Sequence, residues 1–193
     1  MEYYLLCHGE ANEAAALDPY AASLTERGRR QAKALANLCQ YRGVQFICAS
    51  TAVRAEQTAD AVEAAVQVLR WDLKELELLT IDDMEGQVVF SSHPARWSPE
   101  QFRYGMERLW VRLVGALARI EIYAATYGIQ RVALVSHPDV INLCLLSWLG
   151  LDWTSYDYLR FAIDAGSSSL VMFAEGAVTF AWLNRPSLEA PSG

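Results

Sequence analysis

Tyr4-Leu5-Leu6-Cys7-His8-Gly9-Glu10 decides how this chain is read: an apolar run of strand length stops at an imidazole, and a glycine follows. A strand that ends in this way presents the His8 ring at the carboxyl edge of a sheet, where open α/β folds place their ligands. Gly9 lets backbone and ligand approach closely. The same grammar returns far down the chain in Val132-Ala133-Leu134-Val135-Ser136-His137-Pro138-Asp139-Val140, again an apolar run ending in histidine. Between the two, Phe46-Ile47-Cys48-Ala49-Ser50-Thr51-Ala52-Val53-Arg54-Ala55-Glu56-Gln57-Thr58-Ala59 reads as a buried strand turning into a helix, with an arginine in its first turns. Two imidazoles and a guanidinium at one sheet edge fit the binding and transfer of a phosphoryl group. Arginine is a planar, permanently charged fork for phosphate oxygens, and a neutral imidazole is a nucleophile.

Outward from these runs the chain alternates. Strands are expected at about residues 2–7, 44–49, 69–76, 131–136, 168–174 and 177–183, and helices at about 25–41, 52–67, 99–126 and 138–149. Such alternation predicts an α/β fold with a mainly parallel sheet and helices on both faces. The last two strands flank Glu175-Gly176 as an antiparallel hairpin at one edge. Helix 99–126 carries the clearest start signal: Ser98-Pro99-Glu100-Gln101 supplies an N-cap, an N1 proline and an N3 glutamine. Phe102, Met106, Leu109, Leu113, Leu117, Ile120 and Ala124 then recur at three and four and mark its core face. The segment from about 80 to 97 has no strong period and reads as a short lid. Its His93 is more simply a surface-loop histidine than a ligand.

Composition is that of one domain spanning 1–193. With 193 residues, 53% apolar and 20% charged, the chain buries a full core without disulfides or a metal. Cys7, Cys39, Cys48 and Cys144 show no Cys-x-x-Cys pair and read as reduced core thiols, with a Cys7–Cys48 redox pair as the lesser alternative. Histidines and cysteines never fall at zinc-ligand spacing. A net charge of −7 argues against a general nucleic-acid surface, and the Arg27, Arg29, Arg30 and Lys33 cluster is a solvated helix face. Arg112, Arg119 and Glu121 interrupt the longest apolar stretch, so no membrane span is expected, and no signal-peptide pattern opens the chain. A cytoplasmic location follows as the expectation. The crowding of Trp148, Trp153, Tyr156, Tyr158 and Phe161 points to core or to a homodimer contact. The tail from 186 to 193 is expected to fray.

Four runs, in order, make the sequence similar to the histidine phosphatase, or phosphoglycerate mutase-like, superfamily. Cys7-His8-Gly9-Glu10 stands where that family has Arg-His-Gly-Glu, and Leu24-Thr25-Glu26-Arg27-Gly28-Arg29-Arg30-Gln31-Ala32 resembles its first-helix entry. Ser50 to Ala59 resembles its Ser-Pro-Leu-x-Arg-Ala-x-Gln-Thr-Ala run, and Ser136-His137-Pro138-Asp139-Val140-Ile141 its Ser-His-Gly-Gly-Val-Ile run. The resemblance implies a two-step, metal-independent phosphomonoesterase with no cofactor, acting on a small phosphorylated metabolite. His8 would form a phosphohistidine, while Arg54 and His137 would hold the equatorial oxygens and Gly9 the backbone near the anion.

Two departures bear on activity. Cys7 stands where the family places a phosphate-binding arginine, and a neutral thiol is a poor donor. A hydrogen bond to a charged group is worth about 1.5–3 kcal/mol, so a clamp without it loses roughly two orders of magnitude in rate if the contact tightens in the transition state. The family's proton-donating glutamate, counted back without gaps from Met84-Glu85-Gly86, falls on Leu78, with Glu77 one residue away. On a strand that step reverses the side chain, so Glu77 serves only if a bulge or turn re-aims it. Asp82 and Asp83 are further candidates in the same loop. The reading is therefore a phosphatase of reduced activity; the alternative is a non-catalytic relative that binds a phosphate-bearing ligand or partner. A mutase is disfavoured because the lid is too brief to retain an intermediate.

Overall fold

Apolar residues in unbroken runs, rather than in alternation with polar ones, make strands that are buried on both faces. The computed structural model, which describes residues 1–12, 19–89, 91 and 94–187, shows this in β1 (Glu2–Cys7), β2 (Phe46–Ala49) and β4 (Arg131–Ser136). They lie in a six-stranded sheet of order β3-β2-β4-β1-β5-β6, with β3 at Arg70–Asp72, β5 at Ser167–Ala174 and β6 at Ala177–Pro186. The first four strands in that order are parallel, whereas β5 runs antiparallel to β1 and pairs with β6 through the Glu175-Gly176 turn. Both turn residues have positive φ, at 52° and 77°, as a two-residue hairpin turn of this kind requires.

Alternate strand residues feed two cores. Tyr3, Leu5, Cys7, Phe46, Cys48, Val132 and Leu134 pack against α3 (Pro99–Thr126) and α4 (Pro138–Trp148). Tyr4, Leu6, Ile47, Ala49, Ala133 and Val135 pack against α1 (Glu26–Arg42) and α2 (Val53–Val66). The capped start of α3 forms as its sequence dictates: Gln101 N–H donates to Ser98 Oγ at 3.2 Å and Ser98 N–H to Gln101 Oε1 at 2.8 Å. Its core face is as expected except for Phe102, which lies at the partly uncovered first turn and is 37% exposed. Trp148 is partly buried against the core, its ring 4.9 Å from that of Tyr3 and 5.5 Å from that of Phe173, and Tyr156 is buried with its hydroxyl on Asp139 Oδ1 at 2.5 Å. Among the described residues no helix is long and apolar enough to cross a membrane.

Two expectations are corrected. The strand expected at 69–76 ends at Asp72 and gives way to a 3-10 turn at Lys74–Leu76. Neighbouring β2 stops at Ala49, whose carbonyl accepts from Leu73 at 2.7 Å. Beyond that point no ladder partner exists, and the backbone satisfies itself locally through Leu76 N–H to Leu73 O and Glu77 N–H to Lys74 O. A Cys7–Cys48 redox pair is excluded by topology, because β4 runs between the two strands and Leu134 is the register partner of both Leu5 and Cys48. His93 and the tail beyond 187 lie outside the described residues.

The carboxyl edge of the sheet is closed by backbone-to-backbone packing. A β-carbon placed on Gly28, in the first turn of α1, would stand 2.0 Å from Glu10 O, and one on Gly9 would stand 2.4 Å from Gly28 O. Rigid main chain on each side leaves nothing to yield. Overpacking of this kind costs about 1–3 kcal/mol, so Gly28→Ala is expected to lower stability by about that much in urea unfolding, whereas Gly115→Ala, where a β-carbon meets open space, should not lower it.

Candidate active site

The ladder of parallel strands runs one step past their ends. His8 N–H donates to Ser136 O at 3.0 Å and Ser50 N–H to Val135 O at 2.9 Å. His8, Ser50 and His137 therefore leave the sheet at one level. α2 begins at Val53, and Arg54 in its first turn points back over the same edge. The structure brings the three groups together: the rings of His8 and His137 are 5.1 Å apart, and Arg54 Nε donates to His8 Nε2 at 3.0 Å. All three are buried, with His8 5%, Arg54 3% and His137 1% exposed.

Hydrogen bonds fix the protons. His8 Nδ1 lies 2.8 Å from Gly9 O, a carbonyl that can only accept, so Nδ1 carries the hydrogen and Nε2 the lone pair that meets Arg54. Burial pushes the His8 imidazole down to about 4; the bond to Gly9 opposes this and the Arg54 guanidinium adds to it. His137 Nε2 lies 2.8 Å from Ser50 Oγ, which already accepts Ala52 N–H at 3.2 Å. The Ser50 hydroxyl can donate to His137 Nε2, and in that tautomer the ring proton sits on Nδ1, a buried atom with no partner among the described residues. Burial, then His8, Arg54 and Arg112, hold His137 well below the ordinary histidine range.

Gly9 is held by Thr58, whose hydroxyl accepts Gly9 N–H at 3.1 Å and donates to Arg54 O at 2.7 Å. One residue of α2 thereby ties the neighbour of His8 to the arginine one turn earlier. Cys7 is adjacent to His8 in the chain, but its side chain is fully buried in the core beside α3 and α4, level with Ser136. Glu77 stands at the same sheet edge, where its carboxylate accepts from the hydroxyl of Thr51, the residue after Ser50. The turn that replaces the expected strand is what places it there. Asp82 instead pairs with Lys74, and Asp83 is engaged by Arg112 at 2.9 Å and by Thr80 N–H at 2.8 Å.

Sequence reasoning passed over Thr51, Thr58 and Arg112. Thr51 and Thr58 lay inside a quoted run, and their spacing from Ser50 and Arg54 is the signal that could have singled them out. Arg112 read only as a charge interrupting an apolar helix.

Known proteins of similar sequence and fold carry the same arrangement of elements. The profile of the Histidine phosphatase superfamily (branch 1) matches residues 3–186. The adenosylcobalamin/alpha-ribazole phosphatase of Salmonella typhimurium is 25% identical over 207 residues, covering 99% of this chain and 100% of the relative. The alpha-ribazole phosphatase of Shigella flexneri superposes with a TM-score of 0.72 at 21% identity, over 98% of this chain and 100% of that one. A mycobacterial glucosyl-3-phosphoglycerate phosphatase, in complex with VO3, gives 0.72 at 18% identity over 95% and 99%. A profile that matches from the second residue of β1 to the last residue of β6 leaves almost none of the sequence outside it, and on that ground this chain belongs to the histidine phosphatase superfamily.

Proposed function

We propose that the protein is a phosphomonoesterase that works through a phosphohistidine on His8. The observation that carries this reading is the Arg54 Nε to His8 Nε2 contact of 3.0 Å, which puts a phosphate-binding fork against the lone pair of a neutral, tautomer-fixed imidazole. A phosphoryl group entering there exchanges that N–H from nitrogen to oxygen and exposes the lone pair to phosphorus. The His8 Nε2–P bond forms as the P–O bond to the alcohol breaks, and the alcohol oxygen takes a proton from Glu77. Water then attacks the phosphohistidine, giving its proton to Glu77 and releasing phosphate and His8. Arg54 and the Nδ1–H of His137 hold the equatorial oxygens, where negative charge builds up.

The substrate class is a small phosphorylated metabolite, and the activity for which the relatives are named makes alpha-ribazole phosphate the first one to assay. Activity is reduced because Cys7, a buried thiol, stands where the family has an arginine. The same substitution is the observation that favours the second reading, a binder without turnover.

Hydrolysis of an aryl phosphate and of alpha-ribazole phosphate separates the two. The wild type is expected to turn over, His8→Ala to fall to background, and Cys7→Arg to gain about tenfold or more if the added fork reaches the anion. A wild type no faster than His8→Ala, with phosphate binding retained, makes the protein a binder.

Protonation gives an independent check. The unfolded histidine takes up its proton near pH 6.5 and the folded His8 only near 4. Between those values the unfolded chain binds more protons, so stability falls as the pH is lowered across the window. Urea unfolding at pH 7, 5.5 and 4.5 is expected to show this decline and to show it shallower in His8→Gln. An imidazole nitrogen resonance of His8 that titrates at 6.5 would contradict it.

A further inference from the structure

Glu77 owes its aim to a guanidinium that lies on a different element. Arg112 projects from the middle of α3 and donates from Nη2 to Glu77 O at 2.9 Å, to Leu78 O at 3.0 Å and to Asp83 Oδ2 at 3.1 Å. Its Nε donates to Asp83 Oδ1 at 2.9 Å and its Nη1 to Lys74 O at 3.0 Å. Successive carbonyls of an extended strand point to opposite sides, so one nitrogen cannot meet two in a row. That Nη2 meets both Glu77 O and Leu78 O shows the chain turning at this point. The turn re-aims the side chain by the single residue that separates Glu77 from the expected position of the acid.

Asp83 completes the brace. Its side chain is 6% exposed and it caps the 3-10 turn Ile81–Met84 through Thr80 N–H at 2.8 Å, so one bidentate ion pair joins α3, the loop that carries Glu77 and the turn beyond it. Arg112 and Glu77 also share, with Lys74, Glu75, Thr80 and Asp82, the lining of a cavity of about 390 Å³. The main chain of Glu77 is therefore held by Arg112, while its carboxylate accepts from the Thr51 hydroxyl at the sheet edge.

We propose that Arg112 is the positioning residue for the Glu77 carboxylate, acting through the main chain of residues 77 and 78 and not through substrate; this rests on Glu77 being the proton donor of the proposed reaction. Loss of the fork lets the segment relax toward an extended path, and proton delivery to the leaving oxygen fails before phosphate binding does.

Leaving-group dependence tests it. An alkyl phosphate needs its oxygen protonated, whereas p-nitrophenolate departs without help. Glu77→Gln and Arg112→Gln are each expected to lose at least about tenfold more kcat/KM, which reports transfer to His8 and not the shared hydrolysis step, on the alkyl ester than on the aryl ester, since general acids contribute about 10²–10⁴. KM should change by less than about threefold, and Glu77→Gln/Arg112→Gln should be no more selective than Glu77→Gln alone. Arg112→Lys keeps stem and charge but not the planar fork; it is expected to repeat the selective loss and carries the test if Arg112→Gln does not fold. Equal losses on both esters, or Arg112→Lys at the wild-type ratio, overturn the proposal while leaving Glu77 in its role. A Glu77→Gln variant with no selectivity removes Glu77 from that role and this inference with it, and a wild type inactive on both esters removes the phosphatase reading itself.

Discussion

One extra rung of backbone hydrogen bonding beyond the ends of β1, β2 and β4 is the constraint on which the rest depends. A parallel ladder fixes the height of its strands to within a residue. His8 N–H on Ser136 O and Ser50 N–H on Val135 O carry that register out of the sheet and into the loops. The side chains that follow then have little freedom. His137 is the N-cap position of α4, Ser50 lies three residues before α2, and Arg54 is in the first turn of that helix. Each lies within a few residues of a rigid element, which is how a site keeps its geometry without depending on long loops. The tight backbone contacts of Gly9 and Gly28 serve the same end from the α1 side.

Electrostatics at that edge follow from burial more than from pairing. Removing an imidazole from water disfavours its charged form, and at His137 the neighbouring His8 adds to that effect. Two neutral rings beside one guanidinium make a pocket that presents donors and a lone pair and only one full positive charge at contact. A phosphoryl group brings the missing negative charge with it, and an anion near His137 raises the affinity of that ring for a proton. On the proposed reading, the positive character of this edge develops as the anion arrives.

Most of the fold was legible because its signals are local. Unbroken apolar runs set β1, β2 and β4, and the Ser98–Gln101 box set the start of α3 to the residue. His8, Arg54 and His137 were legible for the same reason, each being anchored to the end of such a run. The strand expected at 69–76 was not. Its alternation of Leu69, Trp71 and Leu73 breaks at Glu75, with the fully buried Leu76 out of phase, and pairing depends on where β2 stops, which is a property of another segment. Arg112 was hidden by a related limit. A periodic reading of α3 sorts residues into core and solvent and has no category for a charged side chain that crosses from one to bind a distant loop.

Cys7 shows two demands meeting at one position. An arginine there would have to leave the core beside α3 and α4 and turn its charge toward the anion, and stranding that charge among apolar neighbours costs several kcal/mol. A thiol of this size fills the end of β1 with no exposure and leaves the sheet edge well packed. The corresponding loss to the anion pocket is one charged hydrogen bond, worth about 1.5–3 kcal/mol. On the proposed reading, core packing acts on the whole fold while the missing contact would act only on bound phosphate, so a thiol here favours packing over the clamp. Arg54, buried and tied through Thr58 to Gly9, is on that reading the main phosphate contact among the described residues.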